Sequence, residues 1–260
     1  MLASTMDQAF SSPPATSLAH EPHDLTTPQK LYVWLACLSG ACLLISDVLG
    51  VKLFSIPLPF SLFGVSHIDH TCGMLAFPIT FIITDLINEF YGKKAARRVT
   101  FISFSMAILA FLVMNVALAM PSLDAPYNVR PGSFEDVFAS ARVMYVASLS
   151  AYLVGTLADI AMFGVIKRLT GGKLIWLRST GSTVISQMID SFVVTYLAFG
   201  LGRKVFGGEA MPFDAVLKTA ATGYALKFAI AISLTPVIYA AHWAIKNKLG
   251  MKPVQEPKRN

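Results

Sequence analysis

The residues from Gly73 to Arg98 constrain this chain more than any other stretch. Residues 73–92 form an apolar run long enough to cross a bilayer as a helix, and a basic cluster follows it. Asp85, Asn88 and Glu89 interrupt the run at spacings of three and four residues, which place side chains on one face of a helix. Because an ionisable group at membrane depth costs roughly 2.5–3.5 kcal/mol, it normally faces a protein interior or a water-filled cavity. We therefore expect this face to line a solute site that other helices close.

The composition indicates an integral membrane protein. Hydrophobic residues make up 55% of the chain and charged residues only 14%, whereas a soluble domain carries about 25% charged residues. The apolar residues occur in long runs, which predicts an all-α polytopic membrane protein. The six predicted transmembrane helices cover residues 31–50, 73–92, 99–120, 143–166, 180–202 and 213–245.

A single membrane domain, residues 29–248, accounts for these spans. Residues 1–28 are rich in Ser, Pro and Thr and are predicted to be a disordered cytoplasmic tail. Residues 249–260 are predicted to be a basic cytoplasmic tail. Most Lys and Arg residues then lie on the side of the two termini, which the positive-inside rule assigns to the cytoplasm. The net charge of +6 thus reflects Lys and Arg at helix ends, so membrane lipid is a predicted partner and nucleic acid is not.

Weak internal similarity suggests a repeated plan. Residues 44–52 and 157–167 each carry an Asp followed by Gly-Val and a Lys, and residues 83–90 resemble 188–195. The hypothesis is that two three-helix halves are inverted repeats, with the solute site between them.

The connector at residues 51–71 contains Pro57, Pro59 and Gly64 and is too broken to be a spanning helix. Its His67 and His70 lack a spaced partner that would complete a metal site, so no metal is predicted. Since no catalytic or phosphate-binding motif occurs, the chain is predicted not to be an enzyme and to need no cofactor.

The last two helices carry further polar side chains. Thr183, Ser186, Gln187 and Asp190 follow one face of the fifth helix, and Tyr224 and Lys227 share a face of the sixth. With Asp47, Asp85, Glu89 and Asp159, these groups either face a shared pocket or are packing contacts, with Lys227 neutralising one carboxylate as an interior ion pair.

Such a pocket suits a flat, polar heterocycle. A carboxylate accepts two parallel hydrogen bonds from a planar donor pair such as the edge of guanine, and amides such as Asn88 and Gln187 both donate and accept. Phe77, Phe81, Tyr91 and Tyr224 could stack on a ring, although each is also an ordinary packing residue in a helix bundle. The chemistry permits a nucleobase without requiring one.

Three segments resemble the queuosine precursor transporters, also called the vitamin uptake transporter family: FPITFIITDLINEFYGKKAARR (77–98), GKLIWLRSTGSTVISQMIDSF (172–192) and TGYALKFAIAISLTPVIY (222–239). The segment ISDVLGVKL (45–53) is also similar, with Asp47 where the family commonly has Asn. The resemblance implies six spanning helices in the bacterial inner membrane and import of 7-deazaguanine bases such as preQ0 and preQ1 for queuosine modification of tRNA. It further implies that characteristic polar positions are occupied by Asp85, Glu89, Asp159, Arg178, Gln187, Asp190 and Lys227.

Specific roles follow as hypotheses. Asp190 or Asp85 accepts hydrogen bonds from the donor edge of the base, and Gln187 and Asn88 bind the remaining polar groups of the base. Lys227 keeps a neighbouring carboxylate ionised. Glu89, nearer the cytoplasmic end, gates the path or carries a proton.

Two other functions stay open. One is a substrate-capturing membrane subunit energised by a separate ATPase, and the other is a membrane enzyme or a structural partner protein. Association into a homodimer is also left open by the sequence.

Overall fold

The structure is a computed structural model that describes residues 24–62, 65–130, 132–139, 142–171, 175–205 and 209–254. Most of the predicted tail 1–28 lies outside these residues, as do the last six residues of the predicted tail 249–260. The first helix begins at Thr27, so the final two residues of the predicted tail are helical.

The described elements are helices and one two-stranded hairpin. In chain order they are α1 (Thr27–Leu49), β1 (Leu53–Leu62), β2 (Val65–Thr71), a 3₁₀ turn (Cys72–Leu75), α2 (Phe77–Tyr91), α3 (Lys93–Ala119), α4 (Ser133–Phe138), α5 (Arg142–Leu169), α6 (Ile175–Thr195), a π-helical segment (Tyr196–Leu201), α7 (Gly202–Val205) and α8 (Phe213–Lys248).

Six helical segments of the described chain are long and apolar enough to cross a membrane. They are Thr27–Leu49, Cys72–Tyr91, Lys93–Ala119, Ser133–Leu169, Ser179–Leu201 and Phe213–Lys248. The prediction of an all-α polytopic protein with six spanning helices is therefore confirmed. The third span begins earlier than predicted, at Lys93, because the basic cluster that follows Gly92 is helical and forms the first turns of α3.

The connector at residues 51–71 forms regular structure that the sequence did not predict. Strands β1 and β2 pair in antiparallel fashion, with Leu53 opposite Thr71 and Phe54 opposite His70. The pairing becomes irregular between Pro57 and Leu62, which fits the missing N–H of the prolines in this strand. The base of the hairpin is tied to the bundle, since the backbone N–H of Cys72 donates to the Lys52 carbonyl at 2.7 Å.

Glycines allow close contacts between elements of the bundle. A Cβ on Gly155 of α5 would lie 3.2 Å from Asp190 Cβ of α6, and a Cβ on Gly73 would lie 2.4 Å from the Ser46 carbonyl oxygen of α1. Small residues let helix backbones approach, which is how membrane helices gain packing energy without a hydrophobic driving force between them. These contacts fix the positions of the polar side chains next to them.

The bundle has two ends, which we name by what lies there. The hairpin end holds β1, β2 and the start of α2, and the terminal end holds the start of α1 and the end of α8. Gly92, with φ of 83°, separates α2 from α3 at the terminal end. There the Val254 N–H donates to the Glu89 carbonyl at 2.9 Å, and the Tyr91 hydroxyl donates to the Pro28 carbonyl at 2.6 Å. The two described ends of the chain thus meet at the last turn of α2.

Candidate functional site

Two neighbouring cavities lie inside the bundle. The middle cavity, about 450 Å³ of empty space including the part open to solvent, lies between α2, α6 and α8. The hairpin-side cavity, about 1360 Å³ by the same measure, lies below the hairpin. Met74, Phe77 and Lys227 line both cavities and form the partition between them.

The middle cavity contains two polar groups without partners. Asp85 and Gln187 line it and are only 3% and 4% exposed. Asp85 Oδ2 accepts a hydrogen bond from the Ser179 hydroxyl, whereas among the described residues Asp85 Oδ1 has no donor and Gln187 Nε2 has no acceptor. Buried polar atoms without partners cost about 1–3 kcal/mol each, so they mark a place where a ligand could complete the hydrogen bonding.

A second carboxyl group lies behind Asp85. Asp159 of α5 is fully buried, and its Oδ1 accepts from the Ser186 hydroxyl at 3.1 Å and the Thr183 hydroxyl at 3.5 Å. Its Oδ2 has no donor. The Asp159 side chain lies within hydrogen-bonding reach of the Asp85 side chain. We call these two residues the carboxyl pair.

The partition contains a buried ion pair. Lys227 Nζ of α8 donates to Asp190 Oδ2 of α6, and it lies 5.6 Å from the centre of the Phe77 ring, within range of a cation–π contact. On the far side of the partition, Asp47 Oδ1 accepts from the Ser148 hydroxyl at 3.0 Å. The Lys227 ammonium group and the Phe77 ring therefore lie together in the partition between the two described cavities.

His70 lines the hairpin-side cavity from β2. Burial, with a smaller effect from the charge of Lys227, lowers the pKa of His70 from 6.5 to about 4. The imidazole is therefore neutral near pH 7, and its Nδ1 accepts from the Thr71 N–H at 2.8 Å. A neutral ring at this position avoids a second positive charge beside Lys227.

A separate group of charged residues, the terminal cluster, lies beyond the middle cavity. Lys167 Nζ donates to Glu89 Oε2 at 2.9 Å, and His242 Nε2 lies 3.7 Å from Glu89 Oε1. The Glu89 side chain is only 2% exposed. None of these three residues lines either cavity.

The structure divides the predicted site residues among these places. Asp85, Gln187, Phe81 and Lys227 line the middle cavity; Asp47, Asp190 and Lys227 line the hairpin-side cavity; and Asp159, Asn88, Glu89 and Tyr224 line neither. Asn88 Nδ2 donates to the Ile160 carbonyl at 3.4 Å, and the Tyr224 ring lies 6.3 Å from that of Phe228. Their roles toward a substrate stay predictions. Lys227 forms an interior ion pair with Asp190 and also lines both cavities.

Sequence reasoning missed several residues that matter here. Ser179 and Lys167 lie just outside the predicted spans 180–202 and 143–166, and His242 lies within the span 213–245, yet all three contact buried carboxylates. Lys167 follows Asp159 by eight residues, about two helical turns, and that spacing was the available signal. Arg178 lies on α6, but its side chain is outside the described part of the structure. Within the described residues, no group of three His, Cys, Asp or Glu side chains could hold a metal ion.

Six apolar helices that enclose two cavities and several buried ionisable groups define a multi-pass membrane protein with a polar interior suited to a solute. More particularly, the chain belongs to the family described as "Putative vitamin uptake transporter", which matches residues 71–241.

Three curated relatives are similar over most of their length. The "Probable queuosine precursor transporter" of Bacillus subtilis is 29% identical over 84% of this chain and 85% of its own. The protein of the same name from Haemophilus influenzae is 26% identical over 70% of this chain and 75% of its own. The "Queuosine precursor transporter" of Escherichia coli is 28% identical over 60% of this chain and 66% of its own. No solved structure matches the chain significantly.

These findings confirm the family expected from the sequence. The family and the three relatives are all described as transporters, which supports the prediction that the chain is not an enzyme.

Proposed function

We propose that this protein transports queuosine precursors, and that it binds the hydrogen-bonding edge of a 7-deazaguanine base in the middle cavity. The names of the three relatives support the substrate class. The observation that carries the proposal is the pair of unpartnered groups, Asp85 Oδ1 and Gln187 Nε2, which line the same cavity.

The two groups complement a guanine-like edge. That edge presents a carbonyl oxygen beside a ring N–H and an exocyclic amine. Gln187 Nε2 is a donor and suits the carbonyl, whereas the Asp85 carboxylate is an acceptor and suits the two N–H groups. Phe77 and Phe81 form an edge-to-face pair at 5.2 Å on the wall of the cavity and offer apolar surface to the flat ring. Asp190, the other predicted reader of this edge, is already engaged by Lys227.

The two cavities provide a route. A base enters the hairpin-side cavity, which is the wider of the two. It reaches Asp85 only after the side chains of Phe77 and Lys227 move out of the partition. A partition that closes one side of a central site is what alternating access requires. Asp190 and Lys227 then serve the gate more than the recognition of the base.

The direction of transport rests on charge. The Lys and Arg residues concentrate at the terminal end, including Lys93, Lys94, Arg97 and Arg98 at the start of α3. By the positive-inside rule this end faces the cytoplasm. With the hairpin end outside the bacterial inner membrane, the cavity open beneath the hairpin receives solute from outside, and transport is import.

The test uses the purified full chain with labelled preQ0 and preQ1. We expect each base that binds to raise the thermal stability, by about 2.7 kcal/mol at a concentration 100 times its dissociation constant. Asp85→Asn and Gln187→Met should weaken binding, whereas Asp124→Asn, at an exposed loop position, is the matched control.

Transport is then measured with the chain alone in liposomes. Uptake by the chain alone supports the proposal. Binding without uptake would favour the capture subunit of an ATPase-driven system. If neither base binds, the substrate assignment is overturned.

A further inference from the structure

The carboxyl pair combines two acidic groups with an unfilled oxygen on each. The Ser179 hydroxyl donates to one oxygen of Asp85, and the hydroxyls of Ser186 and Thr183 donate to one oxygen of Asp159. The other oxygen of each residue has no donor within the described part of the chain, and the two side chains lie within hydrogen-bonding reach of each other. Two ionised carboxylates this close repel strongly in a low-dielectric interior, and neither can donate to the other.

One proton resolves both problems. A proton held between the two carboxyl groups removes one of the two negative charges and supplies a donor to an oxygen that lacks one. We propose that Asp85 and Asp159 form a proton-binding site, and that Asp159 carries one proton across the membrane with each base. This inference rests on the proposed function, because Asp85 is the residue that meets the base.

The chemistry of base binding assigns the proton to Asp159. An ionised carboxylate offers about four acceptor positions. Asp85 fills one with the Ser179 hydroxyl, two with the N–H groups of the base, and the fourth with the O–H of a protonated Asp159. If Asp159 were also ionised, that fourth donor would be lost and two adjacent negative charges would oppose binding. The loaded protein therefore holds one base and one proton.

The charged groups around the pair are already engaged. Glu89, one turn further along α2, is held by Lys167 of α5 and lies near His242 of α8. Lys227 of α8, which lines the same cavity as Asp85, is held by Asp190 of α6. Neither ion pair presents a free carboxylate to the base, so the pair is better suited to bind the proton than Glu89, which the sequence had suggested for that role.

The step balances without any other reactant. A proton from the solution on the side to which the site is open binds the Asp159 carboxylate, and the base binds to Asp85. After the site opens to the other side, the base leaves, water enters and solvates both carboxylates, and the proton dissociates to that side. One proton moves with one base.

The experiment compares exchange with gradient-driven uptake in liposomes that contain the purified full chain. Exchange of labelled for unlabelled base needs no driving force, whereas accumulation does. For one proton per base, wild-type protein should accumulate base up to about tenfold per unit of pH gradient, acid outside. A sodium gradient at equal pH should have no effect.

The informative variant is Asp159→Asn. The amide N–H₂ donates to Asp85 as a protonated acid would, but it carries no titrating proton. We expect the ratio of base accumulated with the pH gradient to base accumulated without it to fall to about one, while exchange continues. Asp124→Asn is the matched control, because Asp124 is a carboxyl at an exposed loop position that lines neither cavity. That variant should keep the wild-type ratio.

The outcomes separate the two proposals. No accumulation by the wild type in response to the pH gradient, accumulation driven by sodium, a wild-type ratio in Asp159→Asn, or loss of the ratio in Asp124→Asn would overturn the proton site and leave the proposed function standing. No binding and no exchange in the wild type would overturn the proposed function itself. If Asp159→Asn does not fold, proton uptake by the wild type decides: addition of base to weakly buffered liposomes should remove about one proton per base from the medium, and no removal would overturn the inference.

Discussion

Asp85 and Glu89 lie one turn apart on the same face of α2, and both are almost fully buried, yet their surroundings are opposite. Asp85 borders a cavity, accepts from a serine hydroxyl and keeps one oxygen without a donor. Glu89 borders no described cavity and forms an ion pair with Lys167. Two residues that look alike in the sequence thus belong to different kinds of site.

The difference comes from what the neighbouring helices supply. Hydroxyl groups from α6 surround the carboxyl pair, and hydroxyls can serve a carboxyl group in either protonation state because they donate and accept. A lysine from α5 meets Glu89 and forms an ion pair with it. The carboxyl pair is therefore surrounded by groups that suit either protonation state, whereas Glu89 in the terminal cluster is paired with a cation.

The largest expected effect tests the terminal cluster. Lys167→Met should lower the free energy of unfolding by about 3–5 kcal/mol, because it removes a cation that is paired with the buried Glu89 carboxylate. Unfolding in detergent measures this change. The double variant Glu89→Gln/Lys167→Met should recover most of the loss. A single variant as stable as the wild type would remove the contrast between the two regions.

The next effect tests the middle cavity. Asp85→Asn should weaken binding of a 7-deazaguanine base about 10- to 100-fold, because a hydrogen bond to a charged group contributes about 1.5–3 kcal/mol. Its stability should stay at or above that of the wild type, since Asp85 has no described cation that would be left unpaired. Dissociation constants and unfolding curves of the same preparations decide. Equal loss of binding in Glu89→Gln would mean that the two positions do not differ in function.

A smaller effect is expected in the hairpin-side cavity than in the terminal cluster or the middle cavity. The folded protein lowers the pKa of His70 from 6.5 to about 4, so the unfolded chain binds the proton more readily. His70 therefore destabilises the fold as the pH falls through 6.5 toward 4, by up to about 2 kcal/mol between pH 7 and pH 5. His70→Asn should lose less stability over that range than the wild type. His67→Asn, at an exposed position on the same strand, is the control; identical pH profiles for wild type and His70→Asn would contradict the prediction.

The smallest effect concerns the recognition of the carbonyl group. Gln187→Met should weaken binding of a carbonyl-bearing base about 3- to 10-fold, as expected for a neutral hydrogen bond. An analogue of the base without that carbonyl should bind the variant and the wild type alike. If both ligands lose affinity equally, Gln187 acts through packing and does not read the carbonyl.

Much of the bundle could be predicted because membrane helices have a strong local signal. Apolar length gave the six spans, and spacing of three and four residues gave the polar faces with Asp85, Gln187 and Lys227. The hairpin escaped prediction, since pairing between β1 and β2 depends on contacts across the connector and its prolines favour an irregular structure.

The partners of the buried acids could not be predicted for a related reason. Helix rotation and tilt decide whether Asp190 or Asp85 meets Lys227, and the sequence of one helix does not encode its rotation relative to another. Ser179 and Lys167 lie at the ends of spans, so the sequence of one helix shows them only as boundary residues. Their contacts with Asp85 and Glu89 depend on how α2 packs against α6 and α5.

The hydrogen bond from Val254 to the last turn of α2 has a practical consequence. Any rearrangement that shifts this turn must either carry the nearby C-terminal segment along or break that bond. A fluorophore attached at Lys252, at an exposed position two residues before the bond, would therefore report on the motion of α2 from outside the substrate path. Such a label offers a direct optical signal of the transport cycle without altering any residue of either cavity.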